Sequence, residues 1–271
     1  MTDLHIHTVL SDGSMEAEEI AELAKYAGLK SVAITDHDTL YEGKETIGGI
    51  NIIPGAEMSA YDYKRERRVH ILCYMWKDKR PLASLCDKIL SDRRAAGEIM
   101  IKRAAEHFSI GEEFFYKRAE KSRSIYKQHI MKALMDAGFC TSIFGEDFNY
   151  LLNSESGILT EKIIYPDPYK VIETARESGA MIVLAHPPVY NSFDLAEELA
   201  AGGYIDGIEV WHSRNRPGDS ERIEKIADRY NLIKTGGSDF HGMFTSRPAQ
   251  VGMCPTPDSE FERFICRACQ M

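Results

Sequence analysis

The strongest constraint on this chain is a rhythm. Seven short runs of β-branched and apolar residues, at 2–8, 31–35, 51–57, 69–74, 180–185, 205–211 and 232–235, are mostly separated by segments of helical periodicity. Strands that alternate with helices point to parallel pairing, and right-handed crossovers close such a set into an α/β barrel. The polar residues narrow the reading further. His5, His7, His37, Glu57, His70, His186, Asp239 and His241 each fall at or just past the C-terminal end of a predicted strand. In α/β barrels that rim is where active sites are built.

The helix signals between the strands are explicit. Ser14 can cap a helix whose first turn holds Glu16, Glu18 and Glu19, whose apolar stripe is Ile20, Leu23, Ala24 and Ala27, and which Gly28 stops. Pro168 starts another, with Val171, Ile172 and Ala175 inward and Gly179 at its end. Asp194 opens the next, and 220–230 carries Ile223, Ile226, Ala227 and Tyr230 on one face. From 81 to 161 the strand rhythm gives way to helix-period segments rich in Lys, Arg, Ala, Glu and Met. The expected organisation is therefore a barrel domain, 1–80 with 162–271, and a helical insertion, 81–161, between the fourth and fifth strands that caps the active site.

Composition sets the surroundings. With 271 residues, 44% apolar, one large core is possible, and a disordered, collagen-like or coiled-coil chain is excluded. No apolar run approaches the ~20 residues that span a bilayer, and Met1 to His5 lack the basic and then apolar pattern of a secretory leader, so the expected location is cytoplasmic. The six cysteines are irregularly placed and read as reduced thiols. Cys266 and Cys269 have the spacing of half a zinc site, with no second half following. The net charge of −9 argues against a dedicated nucleic-acid binder. Residues 64–132, however, hold 18 Lys and Arg against 9 Asp and Glu. That segment is either a solvated helical face or a cationic wall toward an anionic substrate.

A lone histidine on a strand is usually a satisfied core or surface residue; here the clustering reverses that expectation. His5-x-His7 places two imidazoles on one face of a strand, because side chains alternate with period 2. Asp239-x-His241 meets the same requirement, after Gly236 and Gly237, which let the backbone come close to whatever is bound. So many imidazoles and carboxylates at one barrel mouth call for cations to hold them, and mixed imidazole and carboxylate donors suit Zn, Mn or Fe.

Seven strings in order, Asp3-Leu4-His5-Ile6-His7-Thr8, Ser11-Asp12-Gly13, Thr35-Asp36-His37-Asp38, Pro54-Gly55-Ala56-Glu57, Val69-His70-Ile71, Ala185-His186-Pro187 and Ser238-Asp239-Phe240-His241, resemble the polymerase and histidinol phosphatase (PHP) family of metal-dependent phosphoesterases. The insertion is similar to that of the branch containing nucleotide phosphatases and 5′-to-3′ exoribonucleases. The resemblance implies a distorted (β/α)7 barrel with a helical insertion between strands 4 and 5, holding two to three divalent metal ions. A first ion would take His5, His7, Glu57 and Asp239; a second Asp12, His37 and His241; a third His70 and His186, with Glu57 bridging. Ser11-Asp12-Gly13 is also an ordinary turn. Asp36 would orient a ligand histidine or serve the turn around it.

Within the insertion, His129 is read as a contact for a substrate phosphate, or as a helix-surface histidine. Related proteins tend to carry an Arg where this chain has Lys127, which offers charge without a bidentate fork. His212 either faces the cavity and substrate or is structural, and His107 is read as inert. The implied reaction is in-line attack on phosphorus by a metal-bridging hydroxide, on a nucleoside monophosphate, a 3′,5′-bisphosphate or a short 5′-phosphorylated oligonucleotide. No membrane or stable protein partner is implied. A histidinol-phosphate phosphatase is the alternative substrate class. A metal-free structural module would have lost ligands that this chain keeps, and an amidohydrolase-type barrel would carry a Lys on the fourth strand, where this chain has His70.

Overall fold

Eight strands and nine α-helices succeed one another along residues 1–271, all described by the computed structural model. In order they are β1 (Thr2–Asp3), α1 (Ala17–Tyr26), β2 (Ser31–Ile34), β3 (Thr46–Ile47), β4 (Ile50–Asp62), β5 (Arg67–Tyr74), α2 (Arg80–Phe108), α3 (Glu112–Tyr116), α4 (Lys127–Asp136), α5 (Glu146–Leu152), α6 (Pro168–Glu177), β6 (Met181–Leu184), α7 (Phe193–Ala201), β7 (Gly207–His212), α8 (Asp219–Arg229), β8 (Ile233–Gly237) and α9 (Asp258–Gln270). Seven strands lie side by side as β1-β2-β4-β5-β6-β7-β8, with β3 folded antiparallel onto β4. The sheet nearly closes into a barrel where the Leu4 N–H donates to Gly236 O at 3.1 Å and the His7 N–H to Phe240 O at 3.0 Å. This is the distorted (β/α)7 barrel with a helical insertion after the fourth barrel strand.

Parallel pairing does not hold throughout. β5 is antiparallel to both β4 and β6. Only residues 63–66 join β4 to β5, enough for a hairpin, whereas a parallel crossover takes a dozen residues or more. The reversal moves His70, which sits in the first half of β5 and reaches the rim because that strand runs the other way. β1 is also shorter than the predicted run to Thr8; beyond it the chain runs beside β8 and the residues that follow through an isolated bridge between Ile6 and Phe240 and a few single hydrogen bonds.

Local chemistry accounts for most helix ends. Ser14 does not cap α1: Glu16 does, in a capping box with Glu19, while the Ser14 hydroxyl accepts from the Met243 N–H. Asp167 caps α6 through the Tyr169 N–H, ahead of Pro168. The largest core packs α2, α6, α7 and α8 on the outer face of the sheet, around Met58, Ile71, Ile182 and Ile208. A second core, with Leu4, Ile53, Leu72, Val183 and Ile233, is closed from below by Phe264 and Ala268 of α9, a helix the strand rhythm did not predict.

The insertion has its own core of Met100, Ile101, Phe115, Ile130, Leu134 and Leu152. α2 joins the two: Leu82, Cys86 and Ile89 pack on the barrel, while Ala96, Met100 and Ile101 pack in the insertion. At Gly97 a Cβ would meet the Ile125 Cβ at 2.5 Å, so glycine sets how closely these segments approach.

Candidate metal centre

Glu57 lies inside β4, because that strand runs on past the rim to pair with β5. Its carboxylate is buried at the middle of the cluster. Oε2 faces His5 Nε2 at 3.3 Å, His7 Nε2 at 3.2 Å and His37 Nδ1 at 3.2 Å. Oε1 faces His70 Nδ1 at 2.7 Å and His186 Nε2 at 2.8 Å. Asp239 Oδ1 lies 3.3 Å from His7 Nε2 and 3.5 Å from both His5 Nε2 and His241 Nδ1. Asp12 lies 3.3 Å from His241 Nε2 and 3.9 Å from His37 Nε2. The fold thus gathers all nine residues named as candidate ligands.

Their donor atoms form overlapping groups able to share an ion: His5, His7, Glu57 and Asp239; His7, Asp12, His37 and His241; His37, Glu57 and His70; and His5, His186 and Glu209. The first coincides with one expected set, and the second adds His7 to another. His186 and Asp239 adopt left-handed backbone, with φ of 23° and 52°, a cost that clusters at functional sites.

The donor set fits divalent cations. His5 Nε2, His7 Nε2 and His37 Nδ1 are buried without a hydrogen-bond partner, although each lies within 3.3 Å of Glu57 Oε2. Nitrogens that converge on one carboxylate without hydrogen-bond geometry are satisfied by a cation among them. The electrostatics agree. Burial pulls the His7 imidazole down, but the carboxylates of Asp239, Glu57 and Asp12 around it push it up to about 10. At His37 burial prevails over Glu57 and Asp12, and the ring is held well below the usual histidine range.

Residues around the cluster hold it in place. Glu209, which the sequence reading did not single out, accepts from His5 Nδ1 at 3.0 Å and from the His186 N–H at 2.8 Å. A carboxylate in the apolar run Ile208-Glu209-Val210 was the available signal. Gly237 lets β8 approach β1: a Cβ there would stand 2.1 Å from the His5 Cβ, so this glycine makes room for a ligand residue rather than for a bound molecule. Asp36 accepts from the Thr8 N–H at 2.8 Å and from the hydroxyls of Thr8 and Ser11. It anchors the 8–11 loop and hydrogen-bonds no imidazole.

The insertion reaches the cluster at three points. Arg93 of α2 donates to Asp38 at 2.7 Å, and Asp38 follows His37. The Tyr126 hydroxyl donates to the His37 carbonyl at 3.1 Å, and Gln128 Nε2 to Asp12 at 2.8 Å. His129 is buried on α4; its Nδ1 accepts from the Tyr126 N–H at 3.2 Å, which leaves the proton on Nε2. Burial, only partly offset by Asp12, lowers its pKa to about 4, so the ring is neutral. Lys127 Nζ donates to Leu152 O at 2.7 Å and to the Ser154 hydroxyl at 3.2 Å. His212 Nε2 lies 3.3 Å from Asp239 Oδ2. His107 is exposed in the last turn of α2, and Cys266 and Cys269 are exposed on α9, outside every metal-capable group.

Residues 3–177 match the model of the PHP domain. The chain belongs to the PHP family. It is 35% identical to the phosphoribosyl 1,2-cyclic phosphate 1,2-diphosphodiesterase of Eggerthella lenta, over 91% of this chain and 96% of that one. It is 27% identical to the 5′-3′ exoribonuclease Rnm of Escherichia coli, over 88% and 84% of the two chains. A crystal structure of a protein from Bifidobacterium adolescentis, described as a metal-dependent phosphoesterase, superposes with a TM-score of 0.85 at 28% identity, covering 98% of this chain and 96% of that one. This PHP protein is an enzyme of the metal-dependent phosphoesterase class. No helix in it is long and apolar enough to cross a membrane.

Proposed function

We propose that the protein hydrolyses a phosphate ester on a ribose or nucleoside that carries more than one phosphate, with His5, His7, Asp12, His37, Glu57, His70, His186, Asp239 and His241 holding two to three divalent cations. The observation that carries this is the Glu57 carboxylate, whose two oxygens each face a separate set of imidazoles. Mn, Fe or Zn bound there supplies Lewis acidity and activates water for phosphoryl transfer. The chain's part is positioning. Glu57 and Asp239 hold the imidazoles of both ends of the chain in one orientation, and Glu209 fixes the His5 ring through Nδ1 so that Nε2 points inward. His129 presents a neutral Nε2–H donor, Lys127 a cation, and His212 an imidazole beside Asp239.

The names of the relatives support the substrate class. A phosphoribosyl cyclic phosphate has two phosphates on one ribose, and an exoribonuclease cleaves ribose phosphodiesters. Six free cysteines support a reducing, cytoplasmic setting.

Metal-loaded protein should release phosphate from a nucleoside 3′,5′-bisphosphate and contain about two to three equivalents of cation by elemental analysis. Glu57→Gln should lose both properties with its circular dichroism intact. Absence of phosphate release from every ester tried, by folded and metal-loaded protein, would overturn the reading.

A further inference from the structure

The positive charge of 64–132 is mostly neutralised locally. Twelve of its 18 basic residues have a carboxylate within 4.0 Å: Lys64, Arg65 and Arg67 reach acids of the hairpin and α7, and Arg93 reaches Asp38, while eight more pair with other acids. Of the six left over, Lys77, Arg94, Lys102 and Lys117 are exposed and solvated. Arg68 and Lys127 are half-buried, and they converge. Arg68 Nη2 donates to the Ser154 hydroxyl at 2.7 Å, and Lys127 Nζ to the same oxygen at 3.2 Å. Two cations share one neutral hydroxyl, with no acid beside either.

Their place in the fold gives this pair a meaning. Arg68 and His70 are two residues apart on β5, so both side chains leave the same face of the strand, about 7 Å apart along it. Arg68 thus stands beside His70, which hydrogen-bonds Glu57, while Lys127 and Ser154 close on it from the insertion. On the same side of the cluster the Tyr190 ring meets the His70 ring edge-on at 5.1 Å and the His186 ring at 5.7 Å. Cations kept half-buried without a counter-ion are costly, and a dianion brings both the charge and the acceptors they lack.

We propose that Arg68, Lys127 and Ser154 form a subsite for a second, unhydrolysed phosphate of the substrate, one sugar ring away from the phosphate that is cleaved. This rests on the phosphoesterase reading above and narrows it: the preferred substrate is a small bisphosphorylated sugar or nucleoside. The guanidinium fork absent at position 127 comes instead from Arg68, on a different element.

The test compares kcat/KM for adenosine 3′,5′-bisphosphate with that for adenosine 3′- and 5′-monophosphate, using metal-loaded wild type and the variants Arg68→Ala, Arg68→Lys and Lys127→Ala. The bisphosphate preference should fall roughly 10- to 100-fold in each alanine variant, the range a charge-assisted hydrogen bond carries. Arg68→Lys should restore part of it, and metal content should match wild type. A preference unchanged in folded, metal-loaded alanine variants would overturn the subsite and leave the phosphoesterase reading standing. Wild type that hydrolyses none of the three esters would overturn both.

Discussion

Glu57 shows what a single side chain can organise. One buried carboxylate facing five imidazoles is tolerable only where positive charge compensates it; the His7 ring is raised by the acids around it, whereas burial keeps the His37 ring low despite them. Glu209 acts one step further out. Glu209→Gln keeps the size of the side chain and removes the charge that orients His5, so metal affinity, read by competition with a chelator, should weaken roughly 10- to 100-fold while the far-ultraviolet spectrum is retained. Eight of the nine candidate ligands were legible because imidazoles and acids stood at predicted strand ends, and Asp12 was legible only through the family resemblance of Ser11-Asp12-Gly13. Glu209 and Asp38 were not, since their roles depend on partners brought from residue 5 and residue 93 by the closed barrel. Asp36 was legible only as a choice between two roles, and its bonds to Thr8 and Ser11 favour the loop.

Among the elements, α2 and the β4–β5 hairpin matter most to function. The periodicity of 81–161 predicted helices, but not that α2 would lie across two cores and send Arg93 to the residue after His37. The reversal of β5 was hidden because a run of apolar residues carries no direction; the four-residue turn before it held that information. α4 offers a pH prediction. Burial, followed by the charges of Arg68 and Arg93, lowers Lys127 to about 8. Its ammonium is therefore present in the free enzyme below that pH and lost above it, while Arg68 stays charged. The preference for a bisphosphate over a monophosphate, measured as kcat/KM, should decline as pH rises from 7 to 9. Lys127→Arg should flatten this decline, because a guanidinium does not titrate there.

At the scale of the whole molecule, the barrel is finished by a segment that contributes nothing to the candidate site. Phe264 of α9 is fully buried under the strands, against Tyr74, whose hydroxyl donates to Leu4 O at 2.7 Å. Phe264→Ala should cost about 3–5 kcal/mol in chemical denaturation by leaving a cavity there, with little effect on metal content. The seam of the sheet has a different kind of weakness. β1 pairs regularly with β2 over only two residues, and its contact with β8 is a few isolated hydrogen bonds. His5 and His7 stand on one lip of that seam, Asp239 and His241 on the other. On the proposed assignment, cations shared by these four side chains act as a clasp that joins the head of the polypeptide to its tail. Catalytic competence and topological closure then become one event, and chelation would unfasten the molecule along a single line.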